Sequence, residues 1–169
     1  MANPGPGRAD CASIEKEVLW HWQRGFQHYH QPKKDLAMKI IRINQDDNFG
    51  SRFSDHHWTL EEGRYTPPSP AGYTTTSQLN AEGVLMMHHP AGYIDDWHTA
   101  PAIVLGTVLR GAVRIQTTDM DTRVLQAGDQ FLACDLNGKG HRMFEVNDGP
   151  YDLALVVLKE PPTEEAFVQ

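Results

Sequence analysis

From residue 38 onward the apolar residues come in short runs separated by turn signals. Residues 38–43, Met-Lys-Ile-Ile-Arg-Ile, form a β-type segment, and Asp46-Asp47-Asn48-Phe49-Gly50 follows as a turn. Residues 51–60 alternate with period two: His56, Trp58 and Leu60 share one side, and Phe53, Asp55 and His57 share the other. Residues 61–81 contain Thr66-Pro67-Pro68-Ser69-Pro70, too proline-rich for a central strand. Such an excursion serves either as a lid over a pocket or as a cover for a sheet edge. Further strands are predicted over residues 83–89, 102–109, 112–118, 123–126, 131–135, 141–146 and 151–159. Those at 102–109 and 112–118 are expected to form a hairpin about Arg110-Gly111.

The first part of the chain follows another period. Ile14, Val18, Leu19, Trp22, Phe26 and Tyr29 recur at helical spacing, Ser13 can cap the start, and Gln31-Pro32 ends the run. His21, His28 and His30 are spread round this helix and read as solvated. Residues 1–10 are rich in proline and glycine. The expected organisation is a tail plus amphipathic helix over residues 1–37, one domain over 38–160 and a C-terminal tail over 161–169. About eight short strands with a single helix predict an all-β sandwich or barrel carrying an N-terminal α-helical extension.

Composition narrows the function classes. With 22 acidic against 15 basic residues and a formal charge of -7, the chain repels phosphate backbones, so no nucleic-acid partner is expected. No apolar run approaches the ~20 residues that cross a bilayer, so no membrane role is expected either. Cys11 and Cys134 do not make a disulfide framework, and Cys134 sits in the apolar run Phe131-Leu132-Ala133-Cys134, where a cysteine acts as a small core residue. The first residues hold no apolar signal core, and the compartment expected is the cytoplasm.

Three stretches carry a family resemblance: Asp96-Trp97-His98-Thr99-Ala100-Pro101, Ala127-Gly128-Asp129 and Gly138-Lys139-Gly140-His141. Over residues 38–158 the chain resembles the small single-domain cupins. That resemblance implies a double-stranded β-helix, the cupin jelly-roll barrel, with His98 and His141 pointing into one pocket. Metal-binding cupins present two histidines one residue apart, then a glutamate, then a third histidine. His98 and His141 match the first and third histidines, but Ala100 and Val104 stand at the other two positions. Where short cupins carry Arg, Arg and Gln, this chain has Ala102, Ile103 and Val104. A divalent ion (Fe, Mn, Ni or Zn) would need His98, His141 and a recruited third ligand, His88 or His57. Neighbouring strand residues face opposite ways, so only one of His88 and His89, and one of His56 and His57, can enter the barrel.

Without metal, the two histidines suit acid–base chemistry, since an imidazole titrates near pH ~6.5. Tyr93 or Asp96 can supply a second donor, and Met86, His88 and Val104 are expected to line the substrate site with them. The resemblance implies an enzyme, a lyase or isomerase of dehydratase or epimerase type. The alternatives are a module that binds a small molecule without changing it and a metal-dependent oxygenase with a reduced ligand set. Cupins often pair through barrel edges, so a homodimer is expected. Trp97 is expected to face away from His98 and pack, and Lys139 to be solvated. No phosphate-cradling loop, serine elbow or paired-cysteine motif is present.

Overall fold

The structure, a computed structural model, describes residues 38–63 and 72–168. The helix expected over residues 13–31, Cys11 and the proline-rich stretch 64–71 lie outside the described residues. The strands are β1 (Lys39–Gln45), β2 (Ser51–His57), β3 (Glu61–Glu62), β4 (Thr74–Thr75), β5 (Ala81–His89), β6 (Val104–Arg110), β7 (Ala112–Gln116), β8 (Thr122–Gln126), β9 (Gln130–Ala133), β10 (Arg142–Glu145) and β11 (Tyr151–Leu158).

A six-stranded sheet runs in the order β2-β1-β9-β6-β11-β5, and a three-stranded sheet in the order β10-β7-β8. Residues 94–98 lie along the free edge of β10 through bridges from Ile94 to Phe144 and from His98 to His141. The strands β9-β6-β11-β5 therefore oppose a layer made by β8-β7-β10 and residues 94–98. From β5 onward, apart from the β7–β8 hairpin, successive elements alternate between the two layers, which is the winding of a jelly roll. The fold is an all-β double-stranded β-helix. The β1–β2 hairpin widens the first sheet, joining it through a parallel pairing of Ile41–Ile43 with Phe131–Ala133. β3 and β4 form a separate two-stranded ribbon.

The expected hairpin at Arg110-Gly111 is corrected here. β6 pairs with β9 and β11, whereas β7 pairs with β8 and β10, so the chain changes sheets at Gly111. A glycine with positive φ serves a corner between layers as well as a hairpin turn. Two flanking apolar runs do not tell the two apart.

Period-two alternation divides the apolar residues between two cores. The inner one holds Ile43, Val108, Phe131 and Leu153 from the large sheet and Val113, Ile115 and Met143 from the small one. The other lies on the far face of the large sheet, where Ile40, Trp58, Leu132, Leu158 and Phe167 meet. Each fully buried side chain of this size contributes roughly 1.5–3 kcal/mol. Phe167 reaches Trp58 because a 3-10 turn (Glu164–Ala166) brings the last residues back over the sheet. The two rings stack at 5.2 Å, and Thr59 and Val168 donate backbone hydrogen bonds to Ala166 and His57. The stretch expected as a tail thus closes the second core. Cys134 is half-buried in the same cluster, and burial raises its thiol pKa against the opposing pull of Arg42.

Candidate functional site

His98 and His141 face each other across the edge of the small sheet. Each backbone N–H donates to the other residue's carbonyl, at 2.9 and 2.8 Å, and the ring centroids are 4.7 Å apart. Gly140 makes this approach feasible: its φ is +71°, and a Cβ there would overlap the carbonyl of His98. The Ser51 hydroxyl donates to the Gly140 carbonyl at 2.6 Å and fixes the turn from the side.

The acceptors beside each ring settle its tautomer. His141 is 3% exposed, and its Nδ1–H donates to Asp135 Oδ2 at 2.7 Å. His98 is more open, and its Nδ1–H donates to the Asp96 carbonyl at 2.9 Å, with the Asp95 carboxylate 3.5 Å away. A carbonyl or carboxylate can only accept, so in both neutral rings the proton sits on Nδ1 and the lone pair on Nε2. Asp135 is fully buried (0% exposed), and its second oxygen, Oδ1, has no hydrogen-bond partner among the described residues.

A second group adjoins this pair. The β11–β5 register sets His89 opposite Tyr151 on the inner face. Their rings stack at 4.4 Å and 14°, and the Tyr93 ring also meets His89, at 4.7 Å. Burial lowers the pKa of His89; Asp95 opposes that shift, while His88 and His98 add to it. Burial also pushes the Tyr151 phenol well above its usual range, helped by Asp95, Tyr93 and Glu145. Asp95 thus connects the two groups, since it stands beside His98 and its charge is felt by both His89 and Tyr151.

Several expected site residues are elsewhere. Met86 and His88 were expected at the pocket, but strand alternation turns both to the outer face of the sheet. Met86 is 70% exposed, and His88 contacts Asp152 at 2.6 Å. Arg110 and then His88 hold the Asp152 carboxyl down to about 2. It is His89, not His88, that enters the barrel. Val104 is buried within the inner core. Tyr93 packs on His89 with the rings tilted by 58°, and the Asp96 side chain accepts from the Trp97 N–H at 2.8 Å. Trp97 packs on the Arg142 guanidinium at 4.8 Å, which gives it the packing contact expected.

His57, the other recruit considered for a metal, lines a separate cleft of about 310 Å³ between β2 and β8. Lys39, Asp55, Arg123 and Asp129 share that cleft. With His88 outside and His57 in the cleft, no described group of three His, Cys, Asp or Glu side chains is placed to hold a metal ion. The two histidines alone do not fit the three-ligand requirement of a catalytic metal.

Asp135, His89, Asp95 and Tyr151 were not anticipated as site residues. A signal existed for Asp135, a carboxylate that ends the apolar run of β9 six residues before His141. Another existed for His89, because period two makes one of His88 and His89 face inward. Which one does so depends on strand register.

No protein-family model matches the chain, and no curated protein matches it. Solved structures give distant likenesses. A conserved protein of unknown function from Streptococcus pyogenes is 20% identical, with 50% of this chain and 70% of that one covered and a TM-score of 0.39. Drosophila melanogaster CENP-C bound to CAL1 is 15% identical, covering 87% of this chain and 98% of that one, TM-score 0.34. The Drosophila melanogaster CENP-C cupin domain is 13% identical, covering 88% and 99%, TM-score 0.33. The strand order itself defines the class, a cupin-like jelly roll. No helix among the described residues is long and apolar enough to cross a membrane.

Proposed function

We propose that the barrel interior is a small-molecule site in which His98 and His141 move protons, as a lyase or isomerase of an organic metabolite requires. The observation that carries this reading is the pairing of the two rings at 4.7 Å, each held on Nδ1 by an acceptor that leaves Nε2 as its working atom. Two such nitrogens allow one ring, neutral, to take a proton from carbon while the other, starting as the imidazolium with its second proton on Nε2, returns that proton to carbon or to a leaving group. Asp135 acts on His141 as an orienting carboxylate, fixing its ring and tautomer without touching the guest.

Carbon-bound hydrogen exchange tests the reading. Candidate metabolites incubated with the full chain in D2O are followed by NMR. Exchange is expected with the natural sequence and should fall by about 10²–10⁴-fold in His98→Ala and in His141→Ala. Undiminished exchange in both variants would remove proton transfer from these rings. A metabolite that saturates the protein yet never exchanges would favour the simpler binding module, which the apolar residue Val104 at a usual ligand position also suits.

A further inference from the structure

The large sheet ends on one side in β5, and among the described residues no strand pairs with the outer edge of β5. Most of its nine residues are exposed. Val84, Leu85 and Met86 are 60%, 43% and 70% exposed, although successive strand residues face opposite ways. Both faces of the strand are therefore apolar and open, beside a row of backbone N–H and C=O groups with no strand against them.

The other edges of the barrel are guarded. β2, at the far side of the same sheet, carries Arg52, Asp55, His56 and His57, and the Trp58–Phe167 bridge continues its line. The edge of β10 is taken by residues 94–98. β8 is only five residues long and carries Arg123, which Asp55 and Asp121 hold. Charges, short strands and covering segments are the usual means of preventing edge-to-edge pairing. β5 uses none of them: Ala81-Glu82-Gly83-Val84-Leu85-Met86-Met87-His88-His89 contains no lysine, no proline and one formal charge. A long apolar edge left in that state is a template for another strand.

We infer that β5 is the homodimerisation edge of this protein, pairing antiparallel with β5 of a second copy about a two-fold axis through Leu85. Such an axis, normal to the sheet, keeps the outer faces of the two copies level. An even-numbered residue then meets only an even-numbered one, and an odd only an odd. Of the registers this allows, the one centred on Leu85, the middle residue, engages all nine positions. It sets Leu85 against the partner's Leu85, Val84 against the partner's Met86 and Glu82 against the partner's His88, so no like charges meet. The two six-stranded sheets then continue as one. This fit of the strand to itself favours a second copy over an unrelated partner. The pairing goes beyond the proton chemistry proposed above and does not depend on it.

The test is the mass of the full chain in solution against concentration, by analytical ultracentrifugation. It should reach twice the 19.0 kDa of one chain by about 200 µM, as expected of an interface at the small end of the specific range. Met86→Lys, at an exposed position, should weaken association by about tenfold. Adding Val84→Glu should restore it, because each introduced cation then faces an introduced carboxylate of the partner. Val124→Lys, on the exposed edge of β8, should change nothing. Hydrogen exchange gives an independent reading: alternate β5 amides point away from β11, and they should gain protection as the dimer forms. A chain still monomeric at about 200 µM overturns the proposal. Full protection of those amides in the monomer overturns it too, since another segment of the same chain then covers the edge. So does a dimer that Met86→Lys leaves intact, that Val84→Glu fails to restore, or that Val124→Lys breaks.

Discussion

The barrel interior and the cleft between β2 and β8 hold the same kinds of side chain, arranged to different ends. In the cleft, Arg123 meets Asp121 at 3.1 Å and Asp55 at 3.5 Å and lies over the Phe53 ring, with His57 close by. Those carboxylates are well exposed, and water can replace any partner they lose. In the interior, Asp135 and His141 are both sealed from solvent, and their 2.7 Å hydrogen bond has no substitute. Residue types alone would rank the cleft, with its two formal cations, as the better binding site. Burial reverses the order, since a polar group matters most where water cannot satisfy it.

The sharpest way to break that contrast is to separate the two histidines. Gly140→Ala puts a methyl group against the His98 carbonyl at a φ that disfavours L residues. A loss of more than about 3 kcal/mol in chemical denaturation is expected. A change below about 1 kcal/mol would show that the bridge adapts. The next largest effect compares the two carboxylates directly. Asp135→Ala leaves the buried His141 Nδ1–H without an acceptor and should cost about 2–3 kcal/mol. Asp55→Ala, removing an exposed partner of Arg123, should cost less than about 1 kcal/mol. Equal losses in the two variants would erase the distinction between interior and cleft.

The contrast also explains what could be learned from sequence. The strands were legible because alternation and turn residues are local, and those at 83–89, 131–135 and 151–159 all fall on observed strands. His98 and His141 were legible because a motif marks them. Three things were hidden. Whether Arg110-Gly111 makes a hairpin or a corner depends on which sheet each flanking strand joins, and that is decided by packing far away in sequence. Whether His88 or His89 turns inward depends on the register of β5 against β11. A slip of one residue exchanges the two faces, so His88, Met86 and His89 had to be settled together, and all three followed one register. Asp135 was hidden differently: a carboxylate at the end of a strand looks like a turn residue until its neighbours exclude water.

Protonation of His89 offers a finer probe of the interior. Burial lowers its folded-state pKa below the unfolded value, with Asp95 opposing and His88 and His98 reinforcing. The folded protein therefore takes up this proton less readily than the unfolded chain. As pH falls from the unfolded value, ~6.5, toward the lowered folded one, the unfolded state binds more protons and stability drops; above that window the penalty is absent. His89→Phe preserves a ring against Tyr151 and removes the titration. Its denaturation midpoint should change less between neutral pH and pH ~5 than that of the natural sequence. If His89→Phe retains the full slope of the natural sequence, His89 is not the pH-sensitive imidazole, and the interior is better solvated than its burial implies.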